Sequence, residues 1–321
     1  MTDNIIIAHS ADPDGIISHS LFERAFNPGV RAHYYVDYPD FIKSLENVAN
    51  KEKNAHITIA DISFNDNFMD EELFRTLKEK NESLTWIDHH DNTKKNRGFL
   101  ERFCDGVIYS SNKCSAELVL SRYNTMLDPS YDAMLANIAH AHDFDNKKQV
   151  SWSVGNTLQQ VISSGYDLDT LVGDLVTRDA WEDEYMLNSN YQAVAKQFRI
   201  KKNKAFQSLK ESVEHVSFGD KKAIFAYSDP MLYMKEAPEF LRENYSIDYV
   251  VVAFEGKANV MVFGKGKSGT SAVNFCTSMG GGGRNHGGGF GLDHEVTKDT
   301  YQIDKEMIQG KLAEFLKTYG K

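Results

Sequence analysis

Over its first 110 residues the chain repeats one pattern. A short apolar run (NIIIAH, RAHYYVDY, AHITIAD, SLTWIDHH, GVIYSS) is followed by a polar or amphipathic stretch, and these stretches reach helical length near 15–26, 39–51 and 67–80. Short apolar runs rich in Ile, Val, Thr and Tyr predict strands, and the segments between them predict helices. That alternation folds as a parallel sheet, because a crossover of a dozen or so residues is what returns the chain to the same sheet in the same direction. The carboxyl ends of such strands line one edge, where open α/β sheets bind ligands at the point of strand-order reversal.

The residues at those ends carry chemistry. The first run stops at His9 and continues as HSADPDGIIS, with Asp12, Asp14 and Gly15; Asp61 closes the third run, and Asp88, His89 and His90 close the fourth. A further acid, Asp143, follows the helical pattern ANIAHAHDFD. Turn formation and helix capping explain any one of these acids. They give no reason for a His or an Asp at the exit of three strands. Mixed carboxylate and imidazole donors suit Mn²⁺, Mg²⁺, Fe²⁺ or Zn²⁺, and the surplus of hard oxygen favours Mn²⁺ or Mg²⁺. Four or five gathered acids repel one another. Two cations roughly 3.5 to 4 Å apart, sharing one carboxylate, would relieve that repulsion and activate water for attack on phosphorus.

Beyond the alternating region, residues 113–125, 129–143 and 152–178 read as mostly helical, with LDPS as a break. Tyr185 to Val213 forms an uninterrupted helical pattern without Pro or Gly. It predicts a connector (185–213) between a domain at 1–184 and one at 214–321. The latter begins with a hairpin, HVSFGDKKAIFAY. It continues through a helix near 234–243, strands DYVVVAFE and ANVMVFGK, and helices near 270–279 and 303–318, a smaller α/β domain. Eight of the 22 glycines fall in 280–291, around Arg284, Asn285 and His286, which suits close backbone approach to an anion as well as a flexible loop. The basic stretch RIKKNKAFQSLK reads as a solvated helix face, and His33 and His56, within strands, read as structural.

Composition narrows the function. Cys104, Cys114 and Cys276 form no CxxC pair, against a zinc ribbon or disulfide framework and in favour of a reducing, cytoplasmic setting. The N-terminus lacks the pattern of a signal peptide, and no run approaches a membrane span. A net charge of −10 opposes coating of long nucleic acid by bulk electrostatics.

The ordered set resembles the DHH phosphoesterase superfamily, named for the triplet found here as Asp88, His89, His90. HSADPDGIIS resembles its first motif, Asp61 its second, Asp143 its helical acid, and GGGGRNHGGGFG the glycine-rich motif of the DHH-associated domain. The resemblance covers most of the chain. It implies a parallel-sheet DHH domain with crossover helices, joined by a long connector helix to a smaller α/β substrate-binding domain. His9, Asp12 and Asp61 would hold one divalent cation and Asp14, Asp61, His89 and Asp143 a second, Mn²⁺ before Mg²⁺. His90 would contact the scissile phosphate or support the site, and Asp88 would orient a ligand histidine. Gly281, Gly282, Gly283, Arg284, Asn285 and His286 would bind substrate; Arg284 stands where the family has His, so either it or His286 makes that contact. The glycine-motif branch resembles oligoribonucleases and RecJ-type exonucleases. The implied activity is hydrolysis of short single-stranded oligonucleotides to mononucleotides by a non-membrane protein, in a form compatible with a homodimer. Cyclic or linear dinucleotide hydrolysis, then pyrophosphate or polyphosphate hydrolysis, then an inactive scaffold, are the alternatives.

Overall fold

The computed structural model describes residues 3–232, 236–264, 271–284 and 287–319, with Pro39 and Arg284 described by their backbone alone. Two compact units divide the chain, Met1–Phe198 and Arg199–Lys321.

The first unit opens with the expected alternation: β1 (Asp3–His9), α1 (Pro13–Phe26), β2 (Val30–Val36), α2 (Phe41–Lys51), β3 (Ala55–Ala60), α3 (Glu71–Lys80), β4 (Ser83–Asp88), α4 (Asp91–Lys95), α5 (Arg97–Phe103) and β5 (Gly106–Tyr109). The strands form a parallel five-stranded sheet in the order β2-β1-β3-β4-β5. The chain therefore crosses from β2 to the far side of β1, and the switch point lies between the ends of β1 and β3. Inner strands β1, β3 and β4 are buried almost throughout, whereas the edge strands β2 and β5 are mostly half-exposed, which is why the inner runs read as continuous apolar segments. Alternate residues serve opposite faces. Ile6, Ala8, Ala60 and Ile87 pack on the α1 side, and Ile5, Ile7, Ile57, Ile59 and Trp86 pack against α2, α3 and α5.

Four further helices follow, α6 (Ser115–Tyr123), α7 (Tyr131–Asp143), α8 (Val150–Ser163) and α9 (Leu168–Thr177). The single helical stretch expected over 152–178 is two helices. Gly165, at φ +77°, turns the chain between them. A small antiparallel ribbon of β6 (Trp181–Asp183) and β7 (Met186–Leu187) precedes α10 (Ser189–Glu211). The expected helix start at Tyr185 instead lies in that ribbon's turn, with φ +56°. The boundary between the two units falls inside α10.

The second unit contains β8 (Glu214–Phe218), β9 (Lys221–Ser228), α11 (Glu236–Asn244), β10 (Tyr249–Phe254), β11 (Asn259–Gly264), α12 (Ala272–Ser278), β12 (Gly282–Arg284), β13 (Gly287–Gly291) and α13 (Lys298–Tyr319). Its six-stranded sheet runs β12-β13-β11-β10-β9-β8, with β9 and β10 parallel and the other pairs antiparallel. α12 and α13 cover one face, and α11 with Ala205 and Leu209 of α10 covers the other.

The glycine cluster, read from sequence as a loop, is largely strand. A Cβ at Gly281 would lie 2.0 Å from the Gly289 carbonyl oxygen, and one at Gly283 2.3 Å from that of Gly287. Glycine is needed there because the two segments approach closer than any side chain permits.

Candidate metal centre

Each inner strand ends in a donor, and local capping chemistry aims it. Asp12 is the N-cap of α1: one of its oxygens accepts the Gly15 N–H at 3.0 Å. Its other oxygen lies 2.8 Å from Nδ1 of His9, at the end of β1. Gly15 has no choice of side chain, since a Cβ would sit 2.1 Å from the His9 carbonyl oxygen. Asp14, in the first turn of α1, is buried and accepts the Ser115 and Ala116 N–H groups, both at 2.8 Å, at the N-terminus of α6. Those orphan donors and the helix dipole hold its carboxylate while leaving each oxygen a further lone pair.

Asp61 follows β3 in the left-handed region, φ +60°, a conformation that Asp tolerates better than most residues. Its N–H still donates to the Ile87 carbonyl at 3.0 Å, so the turn begins without breaking the β3–β4 ladder. The carboxylate is buried and its two oxygens face different histidines. Oδ2 lies 3.6 Å from Nδ1 of His9, whereas Oδ1 lies 3.4 Å from Nε2 of His89 and accepts the Ser115 hydroxyl at 3.1 Å.

At the end of β4, Asp88 is fully buried; it accepts the Thr93 hydroxyl and is paired with Nδ1 of His90 at 2.7 Å. Thr93 in turn accepts the Phe64 N–H at 2.7 Å. His89 lies 3.7 Å from Asp14 through Nε2 and 3.7 Å from Asp143, the last residue of α7, through Nδ1.

In two groups one ligand atom from each residue lies within 4.8 Å of the others: His9 with Asp12 and Asp61, and Asp61 with Asp88, His89 and His90. Asp61 belongs to both. Asp14 and Asp143 stand beside the second group, each facing His89.

Comparison with known proteins bears on this arrangement. No protein-family model matches the sequence, and no curated protein matches it. Solved structures do. The manganese-bound exonuclease RecJ aligns over 97% of this chain and 90% of its own, at 14% identity and TM-score 0.61. The DHH domain of a protein described as a member of a family of ribosomal proteins aligns over 98% and 86%, at 12% identity and TM-score 0.58. The pGpG-specific phosphodiesterase PggH from Vibrio cholerae aligns over 97% and 99%, at 11% identity and TM-score 0.53.

The chain has the DHH fold.

Within that fold the residue set meets a direct test of whether it suits cations. Both ring nitrogens of His9 and Nε2 of His89 are buried without a hydrogen-bond partner among the described residues. Yet His9 Nδ1 is only 2.8 Å from a carboxylate oxygen. Proximity without the alignment a hydrogen bond needs leaves donor atoms that could hold a cation between them. The electrostatics agree. Burial, then the Asp61 and Asp12 charges, push Asp14 well above the usual carboxylate range. Burial likewise raises Asp143, with Asp61 and Asp12 adding to it. Burial alone would depress His9 and His89, but the surrounding carboxylates outweigh it and raise them to about 11 and about 9. The same balance, with Asp88 foremost among the carboxylates, raises His90 to about 9. The protein recruits protons to offset clustered negative charge, a role that divalent cations fill.

Several contributors were not picked out in the sequence. Asp37, 3.5 Å from Nε2 of His9, follows the second strand run and so carried the same signal as the other strand-end acids. Ser115 lies in the CSAE start of α6, where Glu117 returns a bond to the Cys114 N–H at 3.0 Å; that capping box was legible, but its contact with Asp14 was not. Thr93 carried no signal. His142 packs against Gly155, whose Cβ would come within 2.7 Å of it. Of the glycine segment, Gly281, Gly282 and Gly283 lie in the second unit, Arg284 is described by its backbone, and Asn285 and His286 lie outside the described residues.

Proposed function

We propose that the protein is a phosphodiesterase that uses two divalent cations, Mn²⁺ before Mg²⁺, to hydrolyse short single-stranded oligonucleotides to mononucleotides. One observation carries the reading: the two oxygens of the buried Asp61 carboxylate face two different donor groups. A carboxylate shared in that way is the hinge of a two-cation site. In this reading His9, Asp12 and Asp61 hold one cation, and Asp14, Asp61, His89 and Asp143 hold the other.

When bound, such a pair activates water and neutralises charge on a phosphoryl group undergoing in-line displacement. The chain supplies the rest. Ser115 and the α6 N-terminus keep Asp61 and Asp14 in place. Asp88 fixes His90 through Nδ1, leaving Nε2 on a ring that is 35% exposed to donate to a phosphate oxygen. Ile59 and Ala60 at the end of β3 and Ile87 on β4 are fully buried, so the protein side of the strand ends is apolar. Substrate binding by Gly281, Gly282, Gly283, Arg284, Asn285 and His286 belongs to the proposal as well.

The substrate class rests on the oligonucleotide-directed branch that the glycine segment resembles, and RecJ, an exonuclease, is among the structural neighbours. A second reading, hydrolysis of a linear dinucleotide, has its own support: PggH, described as pGpG-specific, matches this chain over 99% of its length. Among the described residues no helix is long and apolar enough to cross a membrane.

The test is a product time course on metal-free protein resupplied with Mn²⁺ or Mg²⁺, with labelled oligoribonucleotides from dinucleotide to long single strands, a cyclic dinucleotide and pyrophosphate. Mononucleotide release from the short oligomers is the expected result. Cleavage of the linear dinucleotide alone would select the second reading, and no hydrolysis by metal-loaded protein would overturn both.

A further inference from the structure

A second group of metal donors lies on the same scaffold, away from the strand ends. His19 and Glu23 are one turn apart on α1, so they share a helix face. His33 is on β2, and one ligand atom from each of the three lies within 4.8 Å of the others. His19 is completely buried, and neither of its ring nitrogens has a hydrogen-bond partner among the described residues. A buried imidazole with no partner costs stability unless something satisfies it. Tyr35 stacks on the ring at a centroid distance of 4.7 Å and the His33 ring is 5.4 Å away, but neither contact supplies a donor or acceptor in the plane of the imidazole.

The group is set back from the phosphodiester centre. His33 pairs with Ile6 in the β1–β2 register, three residues before His9, which is about 10 Å along a strand. His19 lies five residues past Asp14, about 7.5 Å along the helix axis.

We propose that His19, Glu23 and His33 form a separate site for a transition-metal cation of the Zn²⁺ class. Two imidazoles and one carboxylate are donors that Zn²⁺ takes readily, in contrast with the oxygen-rich set at the strand ends. An ion about 2.0–2.1 Å from each donor would draw them to roughly 3.3 Å apart, an adjustment within reach of the exposed His33 side chain. Burial keeps the His19 imidazole neutral, so a lone pair is available without loss of a proton. Because His33 is exposed, a fourth position opens to water or to a ligand from solution. Metal at this site would tie the middle of α1 to β2, the same helix whose first turn presents Asp12 and Asp14. The proposal is independent of the phosphodiesterase reading.

The test is equilibrium dialysis of the full chain against Zn²⁺ and Co²⁺, with bound metal per chain measured for wild type, His33→Ala, Glu23→Gln and Asp61→Asn. Near-ultraviolet circular dichroism checks the fold of each. His33→Ala and Glu23→Gln are expected to lose one equivalent, or to bind it at least tenfold more weakly, and to lose the visible d–d bands of Co²⁺ in a low-coordinate nitrogen and oxygen site. Asp61→Asn is expected to keep that equivalent while losing metal elsewhere. Wild-type stoichiometry and wild-type Co²⁺ bands in both His33→Ala and Glu23→Gln would overturn the site.

Discussion

Replacing Gly15 by Ala sets two effects against each other. Gly15 lies in the first turn of α1, and helix propensity alone favours Ala there by about 1 kcal/mol. The new Cβ, however, would stand 2.1 Å from the His9 carbonyl oxygen and 2.7 Å from both its carbonyl carbon and its Cβ. Two of those atoms are backbone, so no rotamer change relieves the contact. Restoring ordinary van der Waals separation requires α1 and the end of β1 to part by roughly 1 Å. Overpacking of this kind costs about 1–3 kcal/mol, which after the propensity gain leaves a net loss of about 0–2 kcal/mol. The larger effect falls on the site, because His9, Asp12 and Asp14 flank the contact and a displacement of about 1 Å can cost on the order of 100-fold in rate. Thermal unfolding and Mn²⁺-dependent hydrolysis measure the two effects on one preparation. Gly173→Ala, in α9 with nothing within 4 Å of the added carbon, is the control and should be stabilised by about 0.5–1 kcal/mol with unchanged activity. A Gly15→Ala protein as stable and as active as wild type would refute the steric account of the motif.

Other expectations follow from the same geometry. Asp61→Asn should keep the fold, since Asn also tolerates the left-handed backbone, and should abolish turnover; an active variant would sink the shared-carboxylate assignment. Thr93→Val should lower stability by about 1–3 kcal/mol by leaving the buried Phe64 N–H and the Oδ2 oxygen of Asp88 without the Thr93 hydroxyl, and Thr93→Ser should restore most of it in chemical denaturation. With His9 raised to about 11 and His89 to about 9, both hold their protons at pH 8 in metal-free protein, so binding of Mn²⁺ should release protons from these imidazoles, with the raised Asp14 adding to the release, and should weaken as pH falls. Calorimetry in buffers of different ionisation enthalpy measures that release, and its absence would remove these imidazoles from the ligand set. Arg284→Ala should raise KM with kcat little changed; unaltered kinetics would exclude it from substrate binding.

Much of the first unit was legible because its inner strands are buried on both faces, which makes their apolar runs continuous and their ends abrupt. The donors stood out for the same reason: a charged residue directly after Ile-Ile-Ile-Ala or Ile-Thr-Ile-Ala has no place in the core and must lie at its edge. Local signals also set the strand–helix order and the cap at Asp12. They were overlooked where a short break interrupts a longer helical pattern: the turn at Gly165 with its Asp167 cap, and the ribbon from Trp181 to Leu187 whose strands pair with each other, are local features masked by the helices on either side.

The sequence by itself determined that acids and imidazoles leave three strands of one parallel sheet, because side-chain polarity and period are local properties. Tertiary structure decided what those donors do to one another. That Asp61 turns one oxygen to His9 and the other to His89, that the α6 N-terminus grips Asp14, and that His33, ordinary in its strand, meets a buried and unpartnered His19 all depend on distances between residues far apart in the chain. Glycine taught the same lesson twice. At Gly15 and at Gly281 the residue is required by backbone arriving from elsewhere, and no pattern read along the chain contains the position of that second backbone.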